Sequence, residues 1–403
     1  MDKNWLTLRE DSFLWLKGNR GLVYNSKSKK QFTFILTDCI DKVCQKLLFI
    51  ENLYTTELTD VELNDKDLIQ WIDSLIKIQG GYLSYNVNYE KRPVSLKPIL
   101  KVQNKKEYYE FKHIIGERGE ILQNLHELTF YINGSEQGNN EYFRQYIYPL
   151  KECTIQDNTK ILSFITNSRT PYLSNVNLVG NIFAYPDYKK LIFNITSFSV
   201  QCTIQILMPD LIDNLPQMKA FNVQDRVQFN VLVKNDFDVS IIKNIPKPFS
   251  ITAFVTSEKE YMELSNIFRD VTAYKSIKFI PIYNKKNLNF FKSTVFDDQD
   301  DLDHISLSKN EIFIRQALNI GNFGRLTVMP DGSVYANVNA HQLGTINDSP
   351  YSLVYKEFIE GESWFKTREK LPCKECIYQW LCPSPSNYEL ILGKPNLCHV
   401  KPY

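Results

Sequence analysis

Between Leu128 and Tyr283 the chain repeats one pattern, and that pattern limits the fold more than any other feature of its 403 residues. Short runs rich in β-branched and aromatic residues recur as LTFYI (128–132), VNLVG (176–180), VQCTIQILM (200–208), VQFNVLV (227–233), ITAFV (251–255) and IKFIPIY (277–283). Most are separated by segments fit for helices, such as YPDYKKLIF and SEKEYMELSNIF. Strands alternating with helices predict a parallel α/β sheet, either doubly wound or an incomplete barrel. KILSFI (160–165) suits a seventh strand or the first helix equally well.

The residues before this core, 1–112, predict a small α+β unit. FLWLKGNRGLVYN has two apolar runs around Gly18, Asn19 and Gly21, and QFTFI follows another polar turn, so a three-strand meander is expected. A helix comes next, with Ile40, Val43, Cys44 and Leu47 on one face. A second starts at Asn64 and carries Leu68, Ile72, Leu75 and Ile76 on one side. Gly80 and Gly81 stop it, and YLSYNVNY returns as a strand. A sheet with helices on one face and an open edge suits a module that takes a peptide by strand addition. KRPVSLKPILKVQNKKEYYEF, with its prolines and lysines, is expected to be a connector.

After the core, the acidic stretch FDDQDDLDH (296–304) predicts a solvated loop. Ser308 and Glu311 form a capping box for the helix SKNEIFIRQALN. GRLTVMPDGSVYANV predicts a hairpin turning on Pro330, Asp331 and Gly332.

Composition removes whole classes of function. Lys plus Arg number 47 against 46 for Asp plus Glu, so no basic field draws the chain to nucleic acid. No segment approaches the roughly 18 to 20 consecutive apolar residues of a membrane span, and MDKNWLTLRE lacks the pattern of a secretory signal, so a cytoplasmic location is expected. There thiols stay reduced, and gathered cysteines are metal ligands rather than disulfides. Cys39, Cys44, Cys153 and Cys202 are expected to be buried thiols. The other four crowd into the end of the chain. Cys373 and Cys376 are spaced C-x2-C, Cys382 follows after five residues and Cys398 after fifteen more. Four thiolates can hold a structural zinc or a 4Fe-4S cluster, and their spacing does not choose between the two. His399 is a possible substitute ligand.

The hairpin and the cysteine tail resemble the SPASM domain that ends many peptide-modifying radical SAM enzymes. That family has a hairpin of the form l-x-i-x-P-D-G-x-V-Y-x-C, then l-G-n-i, then C-x2-C-x5-C-x3-C and a last cysteine. This chain has LTVMPDGSVYANV and LGTI, with Asn337 near the place of the hairpin cysteine, none around Ile320 or Gly324, and Ser386 at the x3-C position. The resemblance implies that ligands of one auxiliary cluster are gone and all those of the other remain, as Cys373, Cys376, Cys382 and Cys398. The C-x3-C-x2-C motif that binds the S-adenosylmethionine-cleaving cluster occurs nowhere, and the family's GGEP segment is matched only by GNIF at Gly180 to Phe183.

The chain is therefore identified as resembling a pseudo-radical-SAM/SPASM protein of Bacteroidetes (GG-Bacteroidales type) peptide-modification systems. The resemblance implies residues 1–112 as a winged-helix-like leader-peptide recognition domain, 113–295 as a degenerate partial (βα)6 radical-SAM-like barrel, and 296–403 as a degenerate SPASM domain. It implies a non-catalytic partner of an active radical SAM maturase that binds a ribosomal precursor peptide in a hetero-oligomer and carries one 4Fe-4S cluster, used for structure or electron transfer. Two alternatives stand beside it: an enzyme using other residues of the barrel, and a zinc-stapled scaffold protein. For the former there is no nucleophile elbow, P-loop, Rossmann fingerprint or H-E-x-x-H, and His113, His126, His304 and His341 are dispersed.

Overall fold

The structure, a computed structural model, describes residues 3–86, 92–97, 105–151, 154–220, 226–234, 242, 245, 249–269 and 274–400. Six strands open the chain: β1 (Lys3–Leu8), β2 (Ser12–Lys17), β3 (Arg20–Asn25), β4 (Lys30–Ile35), β5 (Thr55–Leu58) and β6 (Gly81–Asn86). β2, β3 and β4 are the expected meander. β5, β1 and β6 form a second antiparallel sheet, which adds two strands to the expectation. β5 is only four residues long, and both it and β1 become strands by pairing with segments distant in sequence.

Thr37 caps the helix Asp38–Leu48, which buries Ile40, Val43, Cys44 and Leu47 as its spacing requires. The next long helix runs Lys66–Lys77 from an Asp65 cap. It buries Leu68, Trp71, Ile72 and Leu75, while Ile76, expected on that face, is 43% exposed. Trp71 lies at one edge of the apolar arc and Ile76 at the other in helical projection, so the buried face is turned toward Trp71 and away from Ile76. Cys202 is buried, Cys39 only half-buried, and Cys153 lies outside the described residues.

The central sheet has β7 (Glu127–Tyr131), β8 (Asn175–Val179), β9 (Gln201–Leu207), β10 (Val227–Val233), β11 (Phe249–Val255), β12 (Ser276–Pro281), β13 (Arg325–Val328), β14 (Ser333–Tyr335) and β15 (Gly344–Thr345). Their order is β12-β11-β10-β9-β8-β7-β13-β14-β15. The six expected strands are all present and mutually parallel, and KILSFI falls in the helix Asn158–Asn167. The hairpin forms with Gly332 at φ +86°, a left-handed turn position that glycine takes without strain. Its first strand pairs parallel to β7, so this mixed α/β sheet continues past position 296.

Alternation along the strands gives the sheet two unlike faces. Leu128, Phe130, Val176, Leu178, Ile204, Ile206, Phe229 and Val231 pack with helix residues such as Ile161, Leu191 and Leu264 in one continuous core. The opposite face carries a buried polar row. Asn177 donates to Thr129 at 3.1 Å, and Asn230 donates to Gln205 at 2.6 Å and Thr252 at 3.1 Å.

Two expected loops are helical. KEYYEF belongs to the helix Lys105–Ile114, whose Tyr109 stacks on Phe358 at 3.6 Å. The acidic stretch contains the helix Gln299–Asp303, closed by an Asp298–Asp301 capping box and anchored by buried Leu302. The capping carboxylates use charges that were expected only to face water. The Ser308–Glu311 box forms as expected on the helix Lys309–Ala317.

Candidate metal centre

Short turns wind the cysteine segment around a shared centre. Cys376 N–H donates to the Cys373 carbonyl at 3.1 Å, Gln379 N–H to Cys376 at 3.1 Å, and Cys382 N–H to Tyr378 at 3.1 Å. Buried Ile377, Tyr378 and Leu381 pin the intervening residues into a core shared with Phe13, Leu22 and Tyr24 of the N-terminal sheet. Cys398 arrives from the other side through a parallel bridge to Asp297. As a result Cys373, Cys376, Cys382 and Cys398 line a single pocket with Asp297, Leu302, Arg368, Leu397 and Val400.

The pocket is small. Its cavity volume is only about 20 Å³. Organic ligands usually need roughly 300–1,000 Å³. Among the described residues no three His, Cys, Asp or Glu side chains stand grouped for a metal ion.

Burial pushes the Cys382, Cys376 and Cys398 thiols up from their ordinary pKa, so deprotonation there needs a compensating cation. Arg368 points Nη1 at Cys373 Sγ at 3.7 Å, and Val400 N–H donates to Cys398 Sγ at 3.3 Å. His399 turns away, its Nε2 lying 3.0 Å from the Lys292 carbonyl, so the substitute ligand is directed elsewhere.

Beside this pocket the structure gathers the other positions that the sequence singled out. Asn337 is 6% exposed and donates to Asn322 at 3.1 Å and Asn387 at 2.7 Å. Asn319 donates to the carbonyls of Lys366 and Pro385, and Ile320 N–H donates to Ser384 at 3.3 Å. Ser386 caps the helix Asn387–Leu392 in a box with Glu389. Amides and hydroxyls that satisfy one another fill this second locus. Sequence reasoning named Asn337 and Ser386 but missed Asn319, Asn322 and Asn387, because asparagine is too common in turns to mark a site by itself.

The segment after β7 fills the polar face of the central sheet. Tyr148 is 1% exposed and packs with Leu207, Leu232, Phe254, Ile280 and Ile282, flanked by Tyr142 and Tyr146. Gln145 bolts it down by donating to the Tyr283 carbonyl and accepting from the Tyr283 N–H, both at 2.8 Å. At the end of β8, Gly180 has φ +132°, and Asn133 clasps Asn181 through both side-chain amide atoms.

A wider cleft of about 360 Å³ lies between this segment and the hairpin, lined by Phe143, Arg144, Leu150, Met329, Asp331 and Tyr335 among others. Among the described residues its lining contains no histidine or cysteine, and Asp331 is engaged by the Ser333 N–H at 2.9 Å and hydroxyl at 2.5 Å. The dispersed histidines stay apart: His113 stacks on Tyr355 at 4.3 Å, and His304 lies beside Asp300 at 3.4 Å. No described helix is long and apolar enough to cross a membrane.

No protein-family model matches the chain, and no curated protein does. Among solved structures it is similar to the crystal structure of Streptococcus suis SuiB bound to precursor peptide SuiA, at 11% identity and a TM-score of 0.46, over 98% of this chain and 99% of that one.

Proposed function

We propose that this chain is a non-catalytic subunit of a radical SAM peptide-modification system of the Bacteroidetes type, which recognises a ribosomal precursor peptide, engages an active maturase and carries one 4Fe-4S cluster. One observation carries the reading. Cys373, Cys376, Cys382 and Cys398 line one pocket, while the neighbouring locus, which includes Asn337 and Ser386, is closed by hydrogen-bonded amides. This arrangement supports the reading that one set of cluster ligands is kept and the other lost.

The residues present fit a cubane. Four thiols lining one pocket suit a group whose four irons each take one thiolate, and the same donor set would also serve a single zinc, so metal analysis distinguishes the two. Such a cluster, once bound, supplies either a covalent staple or a one-electron store. Its four protein ligands leave no iron open to substrate, which argues for structure or relay over catalysis.

The tyrosine-filled face supports the absence of S-adenosylmethionine chemistry, since Tyr142, Tyr146 and Tyr148 occupy the face of the sheet that a partial barrel would use for a ligand. Residues 113–295 are read as that degenerate barrel, 296–403 as the degenerate SPASM domain and 1–112 as the peptide-recognition domain. Among the described residues β4 pairs on one side only, with β3, leaving an edge for an extended peptide.

Anaerobic purification tests the proposal. About four irons with sulfide per chain, no 5′-deoxyadenosine from S-adenosylmethionine under dithionite, and capture of both precursor and maturase on co-expression are expected. Stoichiometric zinc, S-adenosylmethionine cleavage or failure to bind either partner overturns it.

A further inference from the structure

We propose that Arg368 and Glu389 are a charge-setting pair that fixes the reduction potential of the four-cysteine centre, an inference that rests on the iron-sulfur reading above. Arg368 is 8% exposed, and each guanidinium nitrogen is directed. Nε donates to the Pro383 carbonyl at 2.5 Å, Nη2 meets Glu389 Oε1 at 2.9 Å, and Nη1 points at Cys373 Sγ at 3.7 Å. The Arg368 carbonyl accepts from the Gln379 side chain at 2.8 Å, so the cysteine segment holds this residue by backbone as well as side chain. Glu389 is 4% exposed, and its second oxygen accepts from the N–H and hydroxyl of Ser386. Neither partner can swing away.

A buried ion pair is weak evidence of a purely stabilising role, because desolvation offsets its Coulomb energy. The third arm of the guanidinium, aimed at a ligand sulfur, is what such a role leaves unexplained. A cluster held by four thiolates is anionic and becomes more so when it takes up an electron. An N–H donor at a ligand sulfur and a fixed positive charge therefore favour the reduced form.

Two further charged groups lie near the cysteine segment. Arg315, on the helix Lys309–Ala317, donates to the Leu381 carbonyl, and its Nε is buried without a partner. Asp297 lines the pocket with the opposite charge. Charges of both signs thus lie near the centre, and a substitution at the Arg368–Glu389 pair moves the local charge in a known direction. The couple transfers one electron and breaks no protein bond; the donor is a low-potential electron-transfer protein, replaced in vitro by dithionite.

In the test, the full chain is reconstituted anaerobically with ferrous iron and sulfide and titrated with dithionite while the reduced cluster is followed by electron paramagnetic resonance. Glu389→Gln should raise the midpoint and Arg368→Met lower it. Each shift should change the ratio of reduced to oxidised cluster at least tenfold at fixed potential, about 59 mV for one electron. Arg368→Lys, which keeps the charge without the fork, should fall between wild type and Arg368→Met. Shifts of opposite sign support the pair, since loosened packing would move both variants alike. Where Arg368→Met loses the cluster, Glu389→Gln and Arg368→Lys decide by the same signs. Unmoved midpoints in variants that keep the cluster overturn this inference and leave the iron-sulfur reading standing. A wild-type chain that takes up no iron overturns that reading instead.

Discussion

Tyr24 and Leu307, 283 positions apart, hydrogen-bond each other twice: the tyrosine hydroxyl donates to the Leu307 carbonyl at 2.8 Å and accepts from its N–H at 2.6 Å. Gln31 of β4 adds a bond to the Leu302 carbonyl at 2.7 Å, and Lys309 meets Asp11 at 2.7 Å. Leu302 also lines the cysteine pocket. The N-terminal sheet and the candidate metal centre are therefore parts of one packed unit. Tyr24→Phe strips a buried N–H and C=O of their partner and should cost about 1–3 kcal/mol, measured by chemical denaturation. An unchanged midpoint would mean that this contact does not join the two regions.

Cys376→Ser should abolish stable metal binding and loosen the tail, because ordering of such loops and metal binding are linked. Metal content after anaerobic purification should fall, and limited proteolysis should cut within residues 370–400 faster than in wild type.

Tyr148→Ala empties the space between the sheet and the segment after β7, where the ring packs edge-on to Phe254 at 5.1 Å. Loss of a fully buried aromatic ring costs about 3–5 kcal/mol, and equilibrium denaturation should read a loss of that order.

Gly180→Ala places a Cβ 2.2 Å from Asn133 Oδ1 at φ +132°, where no side chain is at ease. A penalty of about 1–3 kcal/mol is expected from the backbone alone. Thermal unfolding of Gly180→Ala beside Asn133→Ala separates backbone strain from loss of the clasp.

Lys97 gives a pH dependence. It is half-buried, its ammonium donating to the Ser12 carbonyl 3.9 Å from the Phe13 ring centre. Burial, then repulsion from Lys309, pushes its pKa down to about 7 against the pull of Asp11. An unfolded lysine titrates near about 10.4, so between about pH 7 and pH 10 the unfolded chain holds a proton that the folded chain has released. Through this group stability rises with pH across that window, and below it the penalty for burying the charge is complete. Lys97→Met should flatten that slope and stabilise the protein more at about pH 6 than at about pH 10, as read by denaturation at each pH.

Much of this molecule is legible in its covalent string, for a physical reason. The six parallel strands, the Ser308–Glu311 box, the turn at Gly332 and the apolar face around Cys44 depend on spacings within a few residues, and each appears where those spacings put it. Errors arise where distant partners decide. β1 and β5 are strands because of what pairs with them, the buried face of the helix Lys66–Lys77 is turned toward Trp71 rather than Ile76, and the acidic stretch is helical because its own carboxylates cap it.

The candidate site divides in the same way. Sequence determined which residues could bind a metal, since thiols at Cys373, Cys376, Cys382 and Cys398 are a matter of chemistry and count. Only the tertiary structure decided that these four face one pocket, that Arg368 and Asp297 stand among them, and that asparagines close the locus next to it. Those relations join chain segments that no local periodicity connects, and packing alone brings them together.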